Sequence, residues 1–110
     1  MTENYSAVVL VTAPDRETAR QISRAVVENR AAACVNILPA VESIYRWEGE
    51  VQTEQEILLL MKTRISLIDG TLIPLIKEHH PYQVPEIIAL PITRGSADYL
   101  DWILDSTKTN

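Results

Sequence analysis

The 110-residue sequence contains one cysteine, three glycines and only ten lysines and arginines against fifteen acids, and each shortage excludes a class of protein. Cys34 alone cannot build an intrachain disulfide framework, which fits a reducing cytoplasm. Three glycines cannot form a phosphate cradle, and no P-loop, Rossmann glycine pattern or nucleophile elbow occurs. The basic residues are scattered through a chain of net charge −5, so no Lys/Arg face is available to neutralise nucleic-acid phosphates. No apolar run approaches the roughly 18 residues of a membrane span. Residues 1–15 lack the basic, apolar and small-residue segments of a leader. These absences predict a cytoplasmic protein with neither nucleic acid nor membrane as partner.

What is present fits one α+β domain over residues 1–110. At 46% hydrophobic residues, a chain of this length buries roughly 65% of its unfolded surface. Residues 5–12 carry Ala7, Val8, Val9, Leu10 and Val11 in a row, the pattern of a strand covered on both faces. After Pro14, Asp15 is a good N-cap, and Ala19, Ile22, Ala25 and Val26 recur at helical spacing, predicting a helix over 16–30. Residues 33–47 and 50–63 read as strands joined at Glu48-Gly49. Ser66 and Asp69 suggest a capping box for a helix ending near His79, with Pro74 either bending it or lying in its first turn. Residues 84–93 read as a strand, and Gly95-Ser96 precedes a short helix containing Tyr99, Leu100, Ile103 and Leu104. The order is βαββαβ plus one extra helix, the ferredoxin-like split-βαβ arrangement.

The prolines agree with this topology. Pro39, Pro85 and Pro91 fall in the second and fourth strands, which lie at the edges in this order, and the central strands have none. The second and third strands, about fifteen and fourteen residues long, would reach roughly 45 to 50 Å, whereas a fifteen-residue helix covers about 22 Å. Their distal half, with Tyr45 and Trp47, therefore outruns its helical cover. It reads as an arm that pairs with other copies of the chain, the alternative being a strand broken at Pro39 with a floppy tip.

His79 and His80 are the only histidines, and imidazoles at a helix end can hold copper, zinc or nickel. Adjacent helical residues point about 100° apart, so they share an ion only where the helix has ended or other ligands help. The alternative is one ring on the last helical carbonyls and the other packed at an interface. Cys34, among apolar neighbours, reads as a small hydrophobe. Glu50, Glu54 and Glu56 alternate onto one face of the third strand, as a cation or proton-transfer site or as a solvated acidic arm.

The stretches Thr12-Ala13-Pro14-Asp15, Ala32-Ala33-Cys34-Val35-Asn36-Ile37-Leu38-Pro39, Ser43-Ile44-Tyr45-Arg46-Trp47-Glu48-Gly49 and His80-Pro81-Tyr82-Gln83-Val84-Pro85-Glu86-Ile87, with Ala89-Leu90-Pro91-Ile92 and the ending Asp98-Tyr99-Leu100-Asp101-Trp102, resemble the CutA divalent-cation tolerance family in the same order. The resemblance implies a non-enzymatic cytoplasmic homotrimer, assembled through the long hairpin, that binds a divalent metal cation such as Cu(II). Some members are credited with metal ligation by a cysteine and two histidines. The histidines correspond to His79 and His80, and the cysteine position is Val11 here. A second expectation is a trimer resembling the PII signalling proteins, with a small molecule in an inter-subunit cleft near Tyr45, Trp47, Lys62, Tyr82 and Glu86. A third is a trimeric scaffold for a partner protein.

Overall fold

The computed structural model describes residues 5–107; residues 1–4, part of the segment read for a leader, lie outside them. The apolar run forms strand β1 (Ser6–Ala13). Asp15 then starts helix α1 (Arg16–Glu28), its carboxylate accepting the Thr18 N–H at 2.7 Å. That hydrogen bond holds the Asp15 carboxyl below the ordinary carboxylate range. The helix stops two residues short of the predicted end. Asn29 returns both its main-chain and side-chain N–H groups to the Ala25 carbonyl, and Arg30 turns to a φ of 58°.

Strands β2 (Cys34–Trp47) and β3 (Glu50–Arg64) meet at Glu48 and Gly49, whose φ values of 51° and 84° give the two-residue turn that matches strand twist. Pro39 does not break the hairpin. The register shifts between Leu38 and Val41, and pairing continues to Trp47 opposite Glu50. With strands of 14 and 15 residues, the molecule measures 43 × 25 × 23 Å.

The next segment corrects the predicted capping box. Ser66 lies inside a 3-10 turn (Ile65–Leu67) that leads through a π turn (Ile68–Leu72) into helix α2 (Ile73–His79), and no side chain caps any of the three. The wide turn, closed by Ile73 N–H on the Ile68 carbonyl, places Pro74 in the first turn of α2, where its missing N–H is not needed. Strand β4 (Ile87–Pro91) is shorter than predicted, because residues 80–86, with prolines at 81 and 85, run irregularly before it. Helix α3 (Ala97–Ser106) follows.

The four strands form one antiparallel sheet in the order β2-β3-β1-β4, so the α+β ferredoxin-like order holds, with Pro39 and Pro91 on edge strands. The sheet has two unlike faces. On the first, Val9, Val11, Leu59 and Met61 are fully buried against Ile22 and Val26 of α1 and Leu72 and Ile76 beyond β3. On the second, Val8, Leu10, Leu58 and Leu60 are half-buried, and Ile88 and Leu90 are 52% and 54% exposed. Helix α3 packs against β1 and β3 with Ile103 fully buried, and the Arg64 guanidinium donates to Thr107 Oγ1 and the Leu104 carbonyl.

Candidate functional site

The site begins where α2 ends. His80 takes an extended backbone, φ −96° and ψ 132°, which turns its ring away from that of His79 and inward. The His80 ring is buried, with Nε2 2.7 Å from the Thr12 carbonyl and Nδ1 3.2 Å from the Tyr82 main-chain N–H. A carbonyl can only accept and an N–H can only donate, so Nε2 carries the proton and Nδ1 is the acceptor. The ring also rests against Tyr82 at 4.7 Å between centroids.

This anchoring delivers Tyr82 to β3, where its hydroxyl donates to Glu56 Oε2 at 2.9 Å. Burial, together with the Glu56 carboxylate, pushes the Tyr82 phenol far above the ordinary tyrosine range. On the arm, Tyr45 donates to Glu54 Oε1 at 2.7 Å, and that hydrogen bond raises its phenol as well. Gln52, Glu54 and Glu56 alternate along β3 onto the same side as Leu58 and Leu60, so the site is the polar end of the sheet's open face.

Between the arm and residues 81–86 lies a cavity of about 900 Å³ whose lining includes Tyr45, Trp47, Glu54, Glu56, Tyr82 and Glu86, with no Lys, Arg or His among the described residues lining it. Glu56 is only 6% exposed, so the expectation of a solvated acidic arm fails at this residue.

Of the residues singled out for a cleft, Tyr45, Trp47, Tyr82 and Glu86 converge here. Lys62 does not: six residues along β3 from Glu56, roughly 20 Å away, it donates to Asn36 Oδ1 near Cys34. Glu54, Glu56 and Thr12 complete the site without having been singled out as cleft residues. The signal available for them was the period-2 spacing of the arm carboxylates, which does not tell a covered strand position from a wet one.

The histidine pair is not a preformed chelate. His79 Nδ1 lies 3.1 Å from the Leu75 carbonyl, and its ring is half-buried, leaving Nε2 as the nitrogen for any ion. Both nitrogens of His80 are engaged, so that ring does not fit a metal without losing its hold on Thr12 and Tyr82. Val11 is fully buried on the helix-covered face, and Cys34 lies half-buried beside Asn36. Among the described residues, no three His, Cys, Asp or Glu side chains gather as a metal-holding group.

Fold and site together define a ferredoxin-like domain with an aromatic, acidic cleft on an incompletely covered sheet. The model of the "CutA1 divalent ion tolerance protein" family matches residues 7–106, and the chain belongs to this family. It is 54% identical over 104 residues to the divalent-cation tolerance protein CutA of Thermus thermophilus, covering 91% of this chain and 96% of that protein. It is 50% identical over 103 residues to the chloroplastic CutA of Arabidopsis thaliana, covering 94% of this chain and 56% of that longer protein. The solved structure of the T. thermophilus protein superposes with a TM-score of 0.90 at 52% identity, covering 94% and 99% of the two chains. That of CutA1 from Oryza sativa gives 0.91 at 47% identity, covering 96% of each. The family is named for ion tolerance and not for a reaction. No described helix is long and apolar enough to cross a membrane. The names of relatives point to different compartments, one chloroplastic and another, from Archaeoglobus fulgidus, periplasmic.

Proposed function

We propose that the chain is one subunit of a cytoplasmic, non-enzymatic homotrimer that serves divalent-cation tolerance. The observation that carries self-association is the sheet's second face. Val8, Leu10, Leu58, Leu60, Ile88 and Leu90 form an apolar band on it that α3 does not fully cover. Soluble monomers rarely leave such a contiguous patch in water. Trp47, paired with Glu50 on the arm and 41% exposed, adds a large aromatic on the same side of the sheet. The number three rests on the family resemblance, and cytoplasmic placement on the single thiol. Light scattering at micromolar concentration tests the assembly: a three-chain mass is expected, and a one-chain mass overturns it.

Divalent-cation binding belongs to the same proposal, with His79 Nε2 as the available imidazole donor and Cu(II) as the candidate ion. One imidazole without clustered partners makes a weak site. Calorimetric titration of Cu(II) into the wild type, His79→Ala and His80→Ala tests it. Loss of affinity in His79→Ala is expected, and equal affinity in all three removes the histidines from the proposal.

A second reading is favoured by the convergence of Tyr45, Trp47, Tyr82 and Glu86 on one cavity: the trimer binds a small molecule in this cleft, as a PII-like protein would. Stabilisation by an organic ligand in metal-free buffer supports it.

A further inference from the structure

We infer that the cleft takes an organic cation, an ammonium group carried on a small carbon skeleton; this rests on the small-molecule reading of the cleft and names the ligand class. The starting point is Glu56. Its side chain is more than nine-tenths buried, yet its one hydrogen-bond partner is the neutral Tyr82 hydroxyl, and it forms no ion pair among the described residues. A buried carboxylate without a counter-charge is costly, and such groups in folded proteins are normally paired. No Lys, Arg or His among the described residues lining the cavity supplies that charge.

The rest of the lining selects the kind of cation. Glu54 and Glu86 add negative charge and no basic side chain among the described residues lines the cavity, an arrangement that disfavours an anionic ligand. Tyr45, Trp47 and Tyr82 also line the cavity, and aromatic faces attract ammonium groups, quaternary ones included. Ile44, Val84, Pro81 and Pro85 supply apolar wall that a hydrated metal ion could not use. A volume of about 900 Å³ lies in the range of small-molecule pockets, roughly 300–1,000 Å³. A bare ion instead needs several ligating atoms drawn together, and no such group exists among the described residues.

The test titrates the full chain, in metal-free low-salt buffer, with two charged probes and their uncharged counterparts: choline against 3,3-dimethyl-1-butanol, and n-butylammonium against 1-butanol. Saturable binding of at least one cation is expected, about tenfold or more tighter than its counterpart. Glu56→Gln, which keeps the acceptor for Tyr82, is expected to lose about tenfold in affinity for that cation. Trp47→Leu, at an exposed arm position, is expected to lose several-fold, while Trp102→Phe, outside the cleft, changes nothing. Thermal melts and scattering mass of each variant confirm that fold and assembly are intact. Equal binding of a cation and its neutral counterpart, or undiminished binding by Glu56→Gln, overturns the organic cation while leaving a small-molecule cleft standing. Absence of binding by all four probes overturns both.

Discussion

The two faces of the sheet are built from the same four strands, yet only one is finished within the chain. Along β3, Ile57, Leu59, Met61 and Thr63 point to the helices and are buried, whereas Leu58 and Leu60 point the other way and stay half-open. A sheet with one wet face normally alternates apolar and polar residues, and continuous apolar runs belong to strands covered on both sides. The run from 57 to 61 is therefore a doubly covered sequence with a single cover in the isolated chain. The missing layer is what the proposed trimer supplies. Further along the same face the apolar band gives way to Gln52, Glu54 and Glu56, so the cleft lies beside the surface proposed to meet other copies.

Substitutions at facing positions can break this contrast. Leu59→Ala, on the finished face with no exposure, is expected to cost about 2–5 kcal/mol in unfolding free energy, because it opens a cavity under α1 and α2. Urea titration measures it, and a loss below about 1 kcal/mol would mean that face repacks freely. On the unfinished face, Ile88→Glu with Leu90→Glu should leave the far-ultraviolet circular dichroism unchanged and lower the scattering mass to that of one chain. Retention of the assembled mass would show that other copies do not cover this face.

The element order and strand pairing were legible because the signals were local. Asp15 caps, Glu48-Gly49 turns, and Pro39 and Pro91 keep to the edges. The start of α2 was not legible, since Ser66 and Asp69 have capping chemistry, but Pro74 a few residues on forces a wide turn that no local pattern announces. At the site, Tyr45, Trp47, Tyr82 and Glu86 of one chain line one cavity, whereas Lys62 lies six residues along β3 beside Asn36, a separation that the sequence spacing already contains. The burial of Glu56 depends on Tyr82 folding over it from 26 residues away. The engagement of His80 Nε2 likewise depends on the Thr12 carbonyl, 68 residues distant in sequence.

Tyr82→Phe sharpens the contrast at the polar end. Removing the hydroxyl leaves Glu56 without its one hydrogen bond, and about 1 kcal/mol of stability should be lost near neutral pH. The alkaline limb gives an independent check. The Tyr82 phenol is raised in the folded state from an ordinary value of 10.0, so its stabilising contribution is present below pH 10 and is lost as pH rises toward the folded value. Wild type should therefore lose stability above pH 10 more steeply than Tyr82→Phe. Parallel curves would place the burden of Glu56 burial on other groups.

The smallest effect belongs to Asp15→Ala, which removes the cap of α1, the helix that covers the finished face. The Asp15 carboxyl is exposed and held below its ordinary 3.8 by the Thr18 N–H. Its contribution is thus present above pH 3.8 and lost as pH falls through the lower folded value. The melting temperature of Asp15→Ala should be slightly below that of wild type at neutral pH, and the two should converge in acid. Because the cap touches only the first face, the assembled mass should not change. A variant that loses the cap and also falls apart into single chains would show that the two faces are coupled through α1, and the contrast between a finished and an unfinished face would then be wrong.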